Sequence, residues 1–426
     1  MYLSKTIYFF VLSMFTTIAS AENISNPLTL SEALSIAVQD NPSLAEIKAR
    51  SEAMADIPSQ LGSLPDPVIS FNALNLPTDS FDLAQENMTQ MQGGISQSIP
   101  FPGKLALRAK AAELEAQAAS QDVYEARWLL LRDVKKIWWV LFYLDRSLEI
   151  INVNKELLRQ FIEIAQTKYE VGEGLQQDVL LAQLELSKLF DNELVLIGAR
   201  ENAQAQLNAL LNRPANLEIH IPEKVSEQLP DLQAEAQLFE QAEQYRALLA
   251  SRRKQIDAAK ARLDLAKKDY YPDFNVGAYY GGRADTVSGQ SRADFLSMKL
   301  SMTIPLYFSS KQSKAVDQRS KELIQKKYAL QDEWNRVRAE ISKAYSDFRQ
   351  YKNKTVLFKS GIIPQARQTV ASMLSGYQVD KVDFLNLVQS QITLYNYEIQ
   401  YWKAVTEANQ ALAQLTAMIG KEEIYE

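Results

Sequence analysis

The chain has 426 residues, a formal net charge of −6 and only 14 glycines and 14 prolines, a balance that belongs to long helices rather than to a loop-rich fold. It has no cysteine, which excludes disulfides, a thiol nucleophile, thiolate metal sites and a lipidated N-terminal cysteine. A single histidine, His220, removes most acid–base, triad and imidazole–metal chemistry, and the acidic balance gives no reason to expect nucleic acid as a partner.

In chain order, Lys5 leads into the apolar run IYFFVLSMFTTIASA, which closes on Ala19-Ser20-Ala21, a small-x-small cleavage site. Residues 1–21 read as a secretory signal, because the run is shorter than the roughly 20 residues of a spanning helix. Cleavage starts the mature chain at Glu22, and losing Lys5 takes the charge from −6 to −7.

Two strands come next, near 67–77 (PVISFNALNLP) and 90–101, separated by the polar loop TDSFDLAQEN. The second alternates Met91, Ile95, Ile99 and Phe101 with Gln92, Ser96 and Ser98, although Gln97 interrupts its apolar face. Pro100 stops the ladder, and Gly103, just past Pro102, lets the chain turn. From Lys104 to Val171 there is neither Pro nor Gly. Val123, Leu130, Ile137, Leu144, Ile151 and Leu158 stand seven apart in this run, with Val134, Leu141 and Leu148 between them. Such a ladder marks a helix supercoiled on its neighbours, and about sixty residues make a rod of roughly 90 Å. The rod turns at YEVGEGLQQD into a second helix over 176–212. Pro214, Pro222 and Pro230 then mark a linker over 213–231, in which His220 reads as a connector residue.

The remainder repeats this order. Pro65-Asp66 returns as Pro272-Asp273, Ile99-Pro100 as Ile304-Pro305, Tyr169 as Tyr377, and QLNALLN as QLTAMIG, at offsets of 207, 205, 208 and 208. Residues 22–212 and 232–426 are therefore two copies of one unit. The second copy has strands near 273–282 and 294–306, the latter with Leu296, Met298, Leu300, Met302 and Ile304 on one face, and Pro305 at its end. A ladder in the same phase follows, through Leu323, Leu330, Val337, Ala344, Tyr351 and Phe358, then the turn GYQVDKVD and a helix over 383–420.

Period two alone does not separate a soluble hairpin on a helix from a membrane strand. The export signal and the helices, which spend their apolar faces on one another, favour the membrane. A sheet in lipid must close on itself, and the smallest barrels have about eight strands. Four strands from one chain cannot close, so three copies sharing one twelve-stranded barrel above a helical tube are expected. Pro100 and Pro305 then mark the membrane face where barrel gives way to tube.

At these residues the sequence resembles the TolC family of outer-membrane efflux channels, over essentially the whole mature chain. SIPFPGKLALRAKAAELEAQ, its echo TIPLYFSSK and the paired tyrosine-bearing turns carry the likeness. The resemblance implies a mainly α protein with membrane β: a homotrimer with a barrel in the outer membrane and a large periplasmic α-helical portion. It also implies a passive duct, without enzymatic activity or cofactor, that docks on a periplasmic adaptor and an inner-membrane pump. NLPTDSFDLAQENMTQMQGGISQSIPFPGK is most similar to the branch paired with heavy-metal pumps of the resistance-nodulation-division class. A drug-efflux or type I secretion channel is the alternative within the family, and a periplasmic helical adaptor the alternative outside it.

The resemblance places an adaptor-docking surface at the hairpin tips, Tyr169, Gly172, Gly174, Tyr377 and Asp380, and a periplasmic gate at Tyr377, Lys381, Asp383 and Asn386. In the family's best-known member the second hairpin turn carries a Tyr, an Arg and two Asp. Here Tyr377 and Asp383 match, Asn386 stands at the second Asp, the Arg position is deleted, and Lys381 is the nearest cation. Asp383 reads either as one of a ring of three carboxylates that gather cations or, with Asp380, as a cap on the next helix. No metal-ligand spacing is present: Met298 and Met302 share the lipid face, and Met88 and Met91 point to opposite faces. Trp138-Trp139 reads as helix packing.

Overall fold

The computed structural model describes residues 27–425; the expected signal segment, 1–21, lies outside them. Short helices α1 (Leu30–Asp40), α2 (Pro42–Ala55) and α3 (Ile57–Gly62) precede β1 (Val68–Leu74) and β2 (Gln90–Ile99). The long helix α4 (Lys104–Glu170) and α5 (Gln176–Leu210) complete the first half. The second half runs α6 (Glu235–Tyr245), α7 (Ala247–Lys268), β3 (Phe274–Gly282), β4 (Phe295–Met302), α8 (Gln312–Leu357), α9 (Ile363–Gln378) and α10 (Phe384–Ile419).

Local chemistry explains the boundaries. Thr29 and Glu32 form a reciprocal capping box at α1, and Asn41 caps α2 through the Leu44 N–H. Gly103 starts α4 from a left-handed conformation, φ 90°, and Gly420 ends α10 the same way at φ 78°. At Gly420 a side chain would also meet the Tyr245 carbonyl at 2.8 Å.

With 67 residues, α4 spans about 100 Å. The heptad ladder lies on its packed face: Leu130, Val134, Leu141, Leu144, Ile151 and Leu158 are buried, while Val123, Ile137 and Leu148 are half-buried. Trp138 and Trp139 sit edge to face at 5.3 Å between α4 and α10, with the Trp138 indole donating to the Leu28 carbonyl. The second long helix differs from the first. Between α8 and α9, Phe358–Ile362 form a π turn, because Pro364 has no N–H to return to the Ser360 carbonyl and the chain widens by one residue to pass it.

The linker is sewn down rather than loose. The Leu28 N–H donates to the carbonyl of exposed His220, Lys352 binds the Pro230 carbonyl and Asp231, and Glu227 receives both Lys359 and the Tyr401 hydroxyl. Burial raises the Glu227 carboxyl, but those two donors outweigh it and hold it below the usual range.

All four strands form one antiparallel sheet in the order β1-β2-β3-β4, with β1 and β4 as edges. The register puts Ile69, Phe71 and Ala73 beside Met91 and Ile95, then Val276, Ala278 and Tyr280, then Leu296, Met298, Leu300 and Met302. One face is thus apolar and exposed, with Phe71 at 83% and Met298 at 84%, and the other carries Ser70, Asn72, Gln92, Ser96, Asn275, Ser297, Lys299 and Ser301. Gln97, the exception on the apolar face, donates to the Pro65 carbonyl at 2.6 Å and so ties β2 to the chain entering β1. β4 stops at Met302 rather than reaching 306: the Thr303 N–H adds one bond to the Asp273 carbonyl, and Pro272 and Pro305 then offer no N–H to carry the ladder on.

One ion pair is fully enclosed. Arg246, at the break between α6 and α7, lies 2.5 Å from Glu125 of α4 and also donates to the Ala417 carbonyl of α10. Burial pushes the Glu125 carboxyl up and Arg246 only partly offsets this. Replacing one member leaves the other charged and dry, so Arg246→Met is expected to cost about 3–5 kcal/mol, and Arg246→Met with Glu125→Leu to recover most of it. Thermal unfolding of the three proteins in detergent, followed by circular dichroism, checks this.

Candidate functional site: the helical tip and the strand-to-helix junction

The two expected sites lie at opposite ends of α4. At the tip, α4 turns into α5 through Gly172, at φ 82°, and Gly174, where a side chain would meet Lys168 at 2.9 Å. The companion turn from α9 to α10 passes through Asp380, a non-glycine residue at φ 58°, whose N–H donates to the Tyr377 carbonyl.

Lys168, which sequence reading passed over, joins the two turns. Its ammonium contacts the Asp380 carboxylate, donates to the Tyr377 carbonyl at 3.0 Å and lies 5.0 Å from the Tyr377 ring centre. Lys381, expected as the local cation, donates its backbone N–H to Gly376 and leaves its exposed side chain outside this cluster. The signal for Lys168 was its place beside the landmark Tyr169, on the first hairpin rather than the second.

Tyr377, expected at both the gate and the docking surface, is 5% exposed, packed on Phe384 with ring centres 5.0 Å apart, and its hydroxyl has no hydrogen-bond partner among the described residues. Burial, with Asp178 and Asp380 nearby, pushes that hydroxyl up to about 12. Its counterpart Tyr169 is 47% exposed.

Asp383 occupies the N-cap position of α10, but its side chain makes no capping hydrogen bond, and Asp380 is engaged by Lys168 rather than by the helix. Asp383 and Asn386 are both exposed. Asp178, in the first turn of α5, is the counterpart of Asn386 at the tyrosine offset of 208, and it is a carboxylate where Asn386 is an amide. Burial, and then the charge of Asp383, raise the Asp178 carboxyl.

At the other end, Pro100 is buried and Pro102 and Gly103 are exposed, with Pro305 half-buried at the matching point after β4. The junction is fastened by a residue that sequence reading used only as a landmark. Asp273 accepts the Phe101 N–H at 2.7 Å and the Lys104 ammonium at 2.9 Å. Lys104, 3% exposed, also reaches Asp269 at 3.3 Å and the Tyr271 carbonyl at 3.1 Å. Phe101 stacks on Tyr271 at 4.5 Å. The first turn of α4 is thus bolted to the entry of β3.

Among the described residues no group of three or more His, Asp or Glu is placed to hold a metal, and no described helix is long and apolar enough to cross a membrane.

Long paired helices carrying a four-stranded amphipathic sheet at one end form the subunit of an outer-membrane efflux channel. The chain belongs to the outer membrane efflux protein family, whose profile matches residues 33–213 and 238–421. It is 21% identical over 404 residues to the cobalt-zinc-cadmium resistance protein CzcC of Cupriavidus metallidurans, covering 93% of this chain and 91% of that one. The outer membrane protein VceC of Vibrio cholerae superposes with a TM-score of 0.77 at 16% identity, over 92% of this chain and 97% of that one. CusC superposes with a TM-score of 0.77 at 13% identity, over 92% of each.

Burial raises the Asp273 carboxyl, but the Phe101 N–H and Lys104 outweigh it and hold it below the usual range. A carboxyl depressed on folding stabilises above its unfolded value, about 4, and loses that contribution as pH falls through the folded value. Asp273→Asn is therefore expected to lower the melting temperature near neutral pH, with the gap to the parent closing as the buffer is taken below about pH 4. Melting curves across that range decide it.

Proposed function

We propose that this protein is the passive outer-membrane exit duct of a tripartite efflux pump, assembled from three copies and serving an inner-membrane pump of the resistance-nodulation-division type through a periplasmic adaptor. The observation that carries the reading is the sheet: its apolar face is exposed and both its edges are unpaired. In lipid each unpaired N–H or C=O costs several kcal/mol, so the edges must be closed by further copies. Three copies bring twelve strands, within the range of single-wall barrels. The helices then continue as a periplasmic tube. The chain acts without catalytic chemistry of its own, and the pump chooses the cargo.

The cargo we infer is a heavy-metal cation. Support comes from the likeness to the cobalt-zinc-cadmium resistance protein along nearly the full length of both chains. The periplasmic tip serves as gate and docking surface. Gly172, Glu173 and Val379–Lys381 are the exposed parts of its turns, with Asp178 and Asp383 placing carboxylates from both hairpins at the same end. A carboxylate ring near an axis concentrates cations.

Outer-membrane fractions are expected to yield a detergent-resistant trimer that boiling converts to monomer; recovery as a soluble periplasmic monomer would falsify the duct. A deletion strain should grow less well in cobalt, zinc or cadmium, and full resistance to these with new sensitivity to dyes or detergents would replace the metal with organic cargo. In planar bilayers Asp383→Ala should reduce cation preference or change conductance. An unaltered current–voltage relation would remove the electrostatic role.

A further inference from the structure

The repeat makes the missing strand pair readable. Residues entering β3 lie 207 beyond those entering β1, and residues leaving β4 lie 205 beyond those leaving β2. Applied to the β1–β2 pairs Val68↔Ser96 and Leu74↔Gln90, these offsets give Asn275↔Ser301 and Gly281↔Phe295, which are the pairs that β3 and β4 form. The sequence offsets therefore reproduce a backbone register.

The same offsets can be run on β2–β3, the pair that joins the two halves. Ile95↔Ala278, Gln97↔Val276 and Ser96↔Gly277 become Leu300↔Phe71, Met302↔Ile69 and Ser301↔Ser70. Within one chain β4 and β1 are opposite edges of the sheet, so these pairs are available only between copies. We propose that β4 of one copy and β1 of the next pair in this register, locked at the helix side by an ion pair between Lys311 and Asp66 and by a contact between Leu306 and Leu64. The proposal rests on the shared-barrel reading above.

Three observations agree on it. In this register Met298, Leu300 and Met302 of the apolar face meet Ala73, Phe71 and Ile69, and Lys299 faces Asn72 on the polar side; only at the far end does Leu296 of that face meet a polar residue, Asn75. A slip of one residue would put the faces out of step. A slip of two keeps the faces but is opposed by the junction. There, Lys104–Asp273 maps to Lys311–Asp66, the lysine at offset 207 because two residues are inserted between Pro305 and Lys311. Neither Asp66 nor Lys311 has a side-chain hydrogen bond or ion pair among the described residues, and both are exposed. The Phe101–Tyr271 stack maps to Leu306 and Leu64, apolar residues left 73% and 52% exposed in the single chain. Asp269 maps to Gly62, so the seam between copies has one carboxylate where the internal junction has two. The Leu306 N–H, counterpart of the Phe101 N–H, turns back on the Ile304 carbonyl at 3.0 Å in the single chain, a bond that the seam exchanges for Asp66.

The absence of native cysteine allows a direct test on the full-length protein in outer-membrane vesicles. Directly opposed strand residues have Cα atoms about 4.5–5.5 Å apart, within disulfide reach, and the diagonal neighbours are about 7–8 Å apart. Ser70→Cys with Ser301→Cys should give, on oxidation, dimers and trimers that survive boiling and revert with reductant. Ser70→Cys paired with Lys299→Cys or with Thr303→Cys should link poorly. If heat-modifiable trimers form but one of the slipped pairs links better, the register is wrong while the duct stands; if no oligomer forms, both fail. Independently, Asp66→Lys and Lys311→Asp should each lower the temperature at which unboiled trimers dissociate, and the combined exchange should restore most of the loss. An exchange that only adds the two losses would overturn the ion pair.

Discussion

A strand edge cannot be left open in hydrocarbon, and that constraint organises this protein. Water is absent there to satisfy the N–H and C=O groups along β1 and β4, and a chain with four strands cannot curl far enough to join them. The helices face no such problem, because their backbone bonds are internal and their apolar residues can be spent on one another. The buried ladder of α4 and the exposed apolar face of the sheet are therefore consequences of two different solvents acting on one chain. The junction at Lys104 and Asp273 is where one regime is fastened to the other.

Duplication supplies most of the remaining order. The second copy reproduces the strand register of the first residue for residue, but it does not reproduce the side chains at the junction. Lys104 is buried between two carboxylates beside the Phe101–Tyr271 stack, over which Lys268 lies, whereas Lys311 is exposed and its mapped partners are Asp66 and two leucines. The internal seam is consequently the more heavily bonded of the two. On the proposed shared barrel this sets a hierarchy, since the four-stranded sheet is complete within one chain and the proposed seam would use side chains that the single chain leaves exposed.

The architecture was largely legible in the sequence because its signals are periodic. A seven-residue ladder and two-residue alternation each report on a whole element, so α4, α5, α10 and the four strands were placed to within a few residues. What escaped depended on single side chains meeting across long separations. Lys168 and Asp380 are 212 positions apart and Lys104 and Asp273 are 169 apart, and no periodicity announces either pair. Tyr377 escaped in the opposite sense. The family resemblance put it at the hairpin tip together with Tyr169, and no pattern in the sequence shows that Phe384 at the start of α10 gives it a ring to pack against and buries it. The π turn at Phe358–Ile362 also lay hidden, since the ladder keeps its phase up to Phe358 and the cause, Pro364, lies beyond it.

The two ends of the long helices differ in how well their polar groups are satisfied. At the sheet end the Lys104 ammonium has three acceptors, Asp269, Asp273 and the Tyr271 carbonyl. At the tip the Tyr377 hydroxyl is buried without a partner among the described residues, Asp178 is raised by burial and by Asp383, and Asp380 is held in a left-handed conformation that a non-glycine residue adopts only at a cost. One tie, Lys168 to Asp380, opposes these penalties, and because it links the end of α4 to the end of α9 it couples both hairpins of the chain. The two ties differ in exposure: the Asp380 side chain stands 62% exposed at the tip, whereas the Lys104 side chain at the junction is 4% exposed between two carboxylates. Salt screens an exposed pair more than a buried one, so rising ionic strength weakens the tie between the hairpins before it weakens the junction.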